Sequence, residues 1–334
     1  MSKVLLLGDW DADGVVSSAL VLYAQEVKRI YPLKDKAEVT LKPVDPHIVR
    51  YVLAKEDLEN YNVVVLLDIP YVKGLGRIFK NIKRECRELK LIYFDHHLST
   101  IYNLHKLRRC VDELIVGYEP TTELVYNKLK NMKISLTPRL EMFSKIVSYM
   151  DRGIKVPETM VNTIKLAKAI SRMLTLKRDE ELWIKIARWL ASPLPITTTL
   201  GINIADIIRK YSLTEDEEIK EKAIELAVEA RNIGYLKFID ARGKWKRRGA
   251  SALASRIYRM LKKPVVLLIE DSKGNPILII RAGRKVAAKI AYILSEKGLV
   301  KDMGGHANLA IVRIKPYIQY NSLINALREA SLRI

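Results

Sequence analysis

Val4-Leu5-Leu6-Leu7-Gly8-Asp9-Trp10-Asp11-Ala12-Asp13-Gly14 is the stretch on which the fold turns. Its four apolar residues, Val4 to Leu7, read as a buried strand. Carboxylates follow at every second position, Asp9, Asp11 and Asp13, then a glycine, then a helical run from Val15 to about Ile30. A strand that delivers acids into a strand-to-helix turn puts polar groups where α/β proteins bind their ligands, at the carboxyl ends of the strands. Acids so close together repel one another and are costly to bury unpaired. A divalent cation with oxygen ligands would hold them. A solvated turn in which an Asp caps the helix is the other reading of the same residues.

Two later stretches repeat this grammar. Val63 to Leu67 is a continuous apolar run ended by Asp68, and Leu89 to Phe94 is another, ended by Asp95-His96-His97. Parallel strands would bring these three endings to one edge of a sheet. Between them the sequence alternates strand and helix: a strand from Glu38 to Pro43, helical sequence over 48–60, and a basic helix from about Leu75 to Leu89. That alternation predicts an α/β fold with a doubly wound, mostly parallel sheet. His47 has no acid at a metal-ligand spacing and reads as structural. No Gly-x-Gly-x-x-Gly follows the first strand, which disfavours a dinucleotide-binding domain.

The 334 residues suit about two domains, and a hydrophobic fraction of 49% suits a full soluble core. No apolar run approaches the roughly 18 residues that span a bilayer, so no membrane segment is expected. Strand-like sequence from Val4 and an acid at Asp9 leave no signal-peptide pattern. Cys86 and Cys110 are the only cysteines, which excludes a disulfide framework or a Cys-rich zinc site and fits a reducing, cytoplasmic setting. The net charge is +20, and it is uneven. From Glu225 to Ile334 there are 22 Lys and Arg against 8 Asp and Glu, which carries +14 of that total. A basic C-terminal third joined to an acid-lined N-terminal site suggests that a polyanion, nucleic acid by default, is held by one and cut by the other. A generally charged surface is the alternative.

Beyond the histidines, Ile115-Val116 reads as a short strand, and Pro120-Thr121-Thr122 opens a helix at about Glu123. A helix from Arg139 to Met150 ends at Asp151-Arg152-Gly153, and 158–174 and 179–191 are amphipathic helices. Trp183 and Trp189 read as core. Ser192-Pro193-Leu194-Pro195 with Thr197 to Thr199 is the linker candidate, and a charged helix near Thr214 to Asn232 leads on. The expected organisation is therefore a first domain over 1–191, a linker and connecting helix over 192–232, and a second domain over 233–334. In the latter, Arg242, Lys244, Lys246, Arg247 and Arg248 surround Trp245, a pattern that suits phosphate clamping with base stacking or a solvated loop. Ala250 to Leu261 and Val286 to Lys297 read as helices, Val265 to Ile269 and Ile277 to Arg281 as strands. Gly304-Gly305-His306 offers close backbone approach and N–H groups to an anion.

Together these residues resemble a known family. Asp-x-Asp-x-Asp-Gly at 9–14, Asp68, Asp95-His96-His97 and the helix-ending Asp151 are similar to the four motifs of the DHH phosphoesterases. Gly304-Gly305-His306, with Arg281 before it, resembles the family's smaller C-terminal DHHA1 domain. The likeness runs in order over nearly the whole chain and is nearest the RecJ-like branch. It implies an α/β DHH domain, a smaller α/β DHHA1-like domain, an active site in the cleft between them, and two Mn²⁺ or Mg²⁺ ions. Asp9 would ligate one ion and Asp11 the other, Asp68 would bridge, and His96 and Asp151 would complete the second site. Asp13 would be a ligand or a neighbour of one, Asp95 would orient the histidine, and His97 would touch the scissile phosphate. Arg281 and His306, with the amides of Gly304 and Gly305, would hold phosphates. The chain departs from the family pattern at Asp68-Ile69-Pro70, where Asp-x-Gly is usual, and at Met303 and Ala307. Neither departure removes a ligand.

The expected activity is a metal-dependent phosphodiesterase, an exonuclease degrading single-stranded DNA or RNA to 5′-mononucleotides in DNA repair. A phosphodiesterase for nanoRNA or cyclic dinucleotides and a non-catalytic replication scaffold of the same fold are the alternatives. A pyrophosphatase fits less well, because so small a substrate needs no broad basic surface. The resemblance allows a helicase or replisome partner, though no residue pattern points to one.

Overall fold

A computed structural model describes residues 1–154, 156–194, 204–211, 217–245 and 249–334. The chain divides into two compact units, Met1–His96 with Thr100–Leu213, and His97–Ser99 with Thr214–Ile334. Among the described residues no helix is long and apolar enough to cross a membrane.

The first unit runs β1 (Ser2–Gly8), α1 (Ala12–Leu22), β2 (Ala37–Pro43), α2 (Val49–Lys55), β3 (Val63–Leu67), α3 (Leu75–Glu85) and β4 (Lys90–Asp95). It continues with α4 (Leu98–Tyr102), α5 (Leu104–Leu107), β5 (Glu113–Val116), α6 (Thr121–Asn131), α7 (Pro138–Arg152), α8 (Val161–Lys177), α9 (Glu180–Ala191) and α10 (Ile204–Tyr211). The five strands pair in the order β2-β1-β3-β4-β5, all parallel. A parallel sheet is covered on both faces, and that is why β1 and β3 are continuous apolar runs with no polar alternation. Val4, Leu6, Val63 and Val65 enter a core shared with α1 and α6 to α9. Leu5, Leu7, Val64 and Leu66 enter a second core, with α2, α3 and α5. The chain leaves β1 for β2 on one side and returns to β3 on the other. The switch point of the sheet is thus at the carboxyl ends of β1 and β3, where such sheets bind ligands.

Several boundaries differ from the sequence reading; α3, for one, stops at Glu85 and not near Leu89. The first helix starts at Ala12, not Val15, because Asp11 caps it, and it gives way to a π-helical turn over Tyr23–Val27. The stretch 48–60 is not one helix: α2 stops at Lys55, and a separate 3₁₀ turn spans Leu58–Asn60. Trp183 and Trp189 are buried as expected, the latter edge-on to Phe143 with ring centroids 5.6 Å apart.

The second unit contains α11 (Glu217–Val228), β6 (Arg231–Ile233), β7 (Leu236–Asp240), α12 (Ala250–Leu261), β8 (Val265–Glu270), β9 (Pro276–Arg281), α13 (Val286–Glu296), β10 (Val300–His306), β11 (Leu309–Ile314) and α14 (Tyr320–Leu332). Its six strands form one sheet in the order β10-β11-β9-β8-β7-β6. Every pair is antiparallel except β7 with β8, which α12 connects. Gly304, Gly305 and His306 close the edge strand β10, which turns through Ala307 and Asn308 into β11. Gly305 has φ +78°, and a Cβ there would meet the Leu309 carbonyl oxygen at 2.1 Å, so only glycine fits.

Trp245 corrects the sequence reading. It is 5% exposed and belongs to the core formed by α11, α12 and the sheet, so it offers no stacking face to a base. Lys246, Arg247 and Arg248 lie outside the described residues, as do Pro195 and Thr197 to Thr199 of the linker candidate.

Candidate metal centre

Asp9 and Asp68 follow β1 and β3, Asp95 is the last residue of β4, and the three stand side by side because the ladder runs one residue past β1 and β3. Gly8 is in register with Leu67, and Leu67 with Phe94. The Asp9 N–H then donates to the Leu67 carbonyl at 3.2 Å, and the Asp68 N–H to the Phe94 carbonyl at 3.0 Å. A row of carboxylates, Asp9, Asp68 and Asp95, results from that register.

Local conformation aims each of them. Asp68 has φ +62°, a left-handed conformation that an Asp tolerates better than most residues. It is 2% exposed, and its Oδ1 accepts the Thr121 hydroxyl at 2.9 Å. Asp9 accepts its neighbour's N–H, that of Trp10, at 2.7 Å, and its carbonyl accepts the Trp183 indole N–H at 3.0 Å. Asp11 is the helix cap that one reading of the sequence foresaw: its Oδ1 accepts the N–H groups of Asp13 and Gly14 at 2.9 and 3.1 Å. The turn is tight enough that a Cβ on Gly14 would lie 2.3 Å from the Asp9 carbonyl oxygen.

Asp13 ties α1 to α6. Its two oxygens accept the N–H groups of Thr121 and Thr122 at 2.9 and 2.6 Å, the open donors at the start of that helix. Burial raises its pKa, against the opposing pull of His96 and the Thr122 hydrogen bonds; Asp11 adds to the rise. The His96 Nε2 faces Asp13 Oδ2 at 3.5 Å and Asp68 Oδ1 at 3.4 Å. Burial pulls the His96 pKa down, but the carboxylates of Asp13, Asp151, Asp95 and Asp11 outweigh it and the net shift is upward. This is a pocket that holds positive charge.

Two groups of ligand atoms lie within 4.8 Å of one another: Asp9, Asp11 and Asp68, and Asp68, His96 and His97. Asp68 belongs to both. Asp13 belongs to neither, although it touches the second through His96. Asp151, in the last turn of α7, acts on His96 through its charge, and Asp95 is fully buried at the end of β4. Carboxylates with imidazole are the donor set of Mn²⁺ and Mg²⁺ rather than of a thiolate metal. Donors around one such ion, with bonds of about 2.1 Å, stand about 3 to 3.5 Å apart. The His96 separations match that spacing, so these residues fit a divalent cation.

In the second unit, Arg281 ends β9 and donates from Nη1 to the Asn308 carbonyl at 3.2 Å, with its guanidinium 5.9 Å from the Tyr258 ring centroid. His306 pairs with Leu309, which pairs in turn with Arg281, so the three lie abreast across the sheet. Arg242 is committed elsewhere: it makes a two-pronged ion pair with Asp240, which raises its pKa and lowers that of Asp240 despite burial. Lys244 pairs with Glu229.

Sequence reasoning missed Asn308 and the parts that Thr121, Thr122 and Trp183 play at the site. The two threonines were visible as a helix start, but not as donors to carboxylates a hundred residues earlier. Asn308 is 8% exposed, and its Oδ1 accepts the Lys285 N–H at 3.0 Å, pinning the start of α13 to the β10–β11 turn.

No protein-family model and no curated protein matches the chain. Solved structures do. RecJ from Thermus thermophilus, in complex with Mn²⁺, is similar over 99% of this chain with a TM-score of 0.52 and 12% identity. The DHH domain of a member of the s1p family of ribosomal proteins is similar over 99% of this chain and 86% of its own, with a TM-score of 0.55 and 16% identity. The chain has the RecJ-like DHH/DHHA1 fold. It spans 52% of the Thermus RecJ chain. In this fold the first unit is the DHH part, with the carboxylate row on its parallel sheet, and the second is the DHHA1-like part.

Proposed function

We propose that this protein is a metal-dependent phosphodiesterase that trims single-stranded DNA or RNA from an end to 5′-mononucleotides. The observation that carries the reading is the sharing of Asp68 between two groups of metal-ligand atoms. Asp9, Asp11 and Asp68 would hold one Mn²⁺ or Mg²⁺ ion, and Asp68, His96 and Asp151 the second. When bound, such a pair supplies hydroxide near neutral pH and offsets charge on the attacking and leaving oxygens. The chain's own residues set the frame. Thr121 fixes the Asp68 carboxylate through its hydroxyl. Asp13, held by two backbone amides, faces His96 Nε2 and keeps the imidazole turned toward the acids. Asp95 adds negative charge behind it. His97, which follows in the chain, would meet the scissile phosphate. Arg281 and His306, with the Gly304 and Gly305 backbone, would bind phosphate oxygens. The Thermus relative supports the choice of ion.

A second reading has one observation in its favour. Trp245 is core and Arg242 and Lys244 are paired within their own unit, which removes three residues expected to grip a long strand. A short substrate, an oligonucleotide of two to five residues or a cyclic dinucleotide, needs less grip. A catalytically silent scaffold would have no use for so complete a ligand set.

The deciding experiment is incubation with end-labelled single-stranded DNA and RNA of about 20 nucleotides, beside a dinucleotide, in Mn²⁺ and in EDTA. Asp68→Asn and His96→Ala variants run in parallel. Mononucleotide release from the long strands, absent with EDTA and in both variants, supports the first reading. Cleavage of the dinucleotide alone supports the second. No cleavage of any substrate refutes both.

A further inference from the structure

A hollow of about 1180 Å³ opens on the first unit beside α2, α3 and α5. Six of its lining residues are Arg50, Lys73, Arg77, Lys80, Lys106 and Arg109, and no Asp or Glu lines it. All six are exposed. Among the described residues none of the six makes an ion pair with a carboxylate. This is unlike the cations around them: Lys83, one turn further along α3, pairs with Asp112, Lys90 with Glu113, and Lys42 with Glu56. Their few contacts are with neutral groups. Arg50 donates to the Lys73 carbonyl at 3.0 Å, and Lys106 to the Asn103 side chain at 2.7 Å. Uncompensated cations around a concavity focus a positive potential and concentrate anions there.

The hollow is also placed to serve the carboxylate row. Tyr71 lines it and is three residues from Asp68, a reach of about 10 Å of extended chain. The linking segment is fixed at both ends: the Tyr93 hydroxyl donates to the Ile69 carbonyl, and the Tyr71 N–H donates to the Thr100 hydroxyl at 2.7 Å. Lys106 sits over the Tyr71 ring, 5.6 Å from its centroid. His47, which reads as structural in the sequence, is exposed and lines the same hollow with His105. Six charges spread over three helices and the loops beside them exceed what a single phosphate can engage. An aromatic ring among cations suits a chain of phosphates that carries bases.

We infer that this hollow is a binding site for the phosphodiester backbone of single-stranded nucleic acid, holding nucleotides away from the bond that is cut. The inference rests on the phosphodiesterase reading for its purpose, but its test does not depend on cleavage. The probe is a fluorescein-labelled 20-nucleotide oligothymidylate, titrated in EDTA and followed by anisotropy from about 50 to 300 mM salt. The variant is Arg77→Gln with Lys80→Gln and Arg109→Gln. A control variant, Lys165→Gln with Lys168→Gln and Lys177→Gln, removes the same charge from exposed positions on α8. Losing three phosphate contacts should weaken binding at least tenfold near 100 mM salt. It should also reduce the slope of log Kd against log salt by about 2, since each contact on a single strand contributes about 0.7. The control should change the slope by much less. Equal losses in the two triple variants, or no binding by the unmodified protein, overturn the inference. Metal-dependent cleavage that survives such a result leaves the proposed activity standing and removes the hollow alone.

Discussion

The carboxylate of Asp13 accepts the backbone N–H of Thr122 at 2.6 Å across 109 residues of sequence, and that of Thr121 at 2.9 Å. An acid beside the candidate metal ligands thus serves as the cap of a distant helix. Removing it leaves two buried amides without an acceptor, at about 1 to 3 kcal/mol each. Asp13→Ala should therefore lower stability in EDTA by about 2 to 6 kcal/mol in urea unfolding, with Asp13→Asn losing less because an amide oxygen remains. An unchanged midpoint for the alanine variant would mean that Asp13 matters only to a bound ion.

Gly14 makes a second structural demand within the same motif. A Cβ at this position would sit 2.3 to 2.7 Å from three backbone atoms of Asp9, none of which can swing aside. Overpacking costs about 1 to 3 kcal/mol, and the upper end applies where the opposing atoms are backbone. Gly14→Ala should unfold at clearly lower urea and lose Mn²⁺ binding, because relief of the clash displaces Asp9. Full stability with normal metal affinity would show that the turn is looser than its geometry.

How much of this was legible in the sequence follows from what is local. The strands that carry Asp9, Asp68 and Asp95 could be read because buried parallel strands are unbroken apolar runs, and each acid marks where its run stops. The cap of Asp13 on α6 could not be read, since nothing in either segment encodes the meeting of the two. Trp245 was misread because five neighbouring charges mask a single inward-facing ring. Gly304 and Gly305 could be read as a place of close backbone approach, but not as part of an edge strand, where Gly305 alone takes a positive φ. Of the basic hollow only the basic character of α3 could be read, because Arg50, Arg77 and Arg109 belong to segments that are brought together only by packing. Seen singly, each is an ordinary solvated cation.

Trp245 gives a prediction of its own. Trp245→Phe keeps a ring in the core but leaves part of the indole volume empty. It should cost about 1 to 3 kcal/mol of stability while leaving oligonucleotide affinity within twofold of the unmodified protein. A large loss of affinity at unchanged stability would return Trp245 to the role of a base-stacking residue.

Glu113 sets a pH dependence remote from the carboxylate row. Burial raises its pKa, but Lys128 at 2.7 Å and Lys90 at 3.3 Å outweigh that, and the net shift is downward. A carboxylate whose pKa is depressed in the folded state contributes stability above its unfolded value, near 4.5, and loses it as pH falls through the folded value. Glu113→Gln should therefore be less stable than the unmodified protein at pH 7. The gap should be no more than about 1 kcal/mol, because water screens this half-exposed cluster. It should close as pH falls below about 4. A gap that is constant with pH would assign the effect to packing instead.

The shared position of Asp68 makes it the residue through which metal should couple to stability. An ion present at about a hundred times its dissociation constant adds about 2.7 kcal/mol to a protein that binds it only when folded. Asn keeps the acceptor for the Thr121 hydroxyl and tolerates the left-handed backbone at φ +62°. It also removes a negative charge that Asp9 and Asp11 repel. Asp68→Asn should then be at least as stable as the unmodified protein in EDTA, yet gain little on addition of Mn²⁺. Calorimetry with and without Mn²⁺ reads both quantities. An equal Mn²⁺ shift in the two proteins would mean that neither ligand group depends on Asp68. A marked loss of stability in EDTA would mean that its charge serves the fold itself.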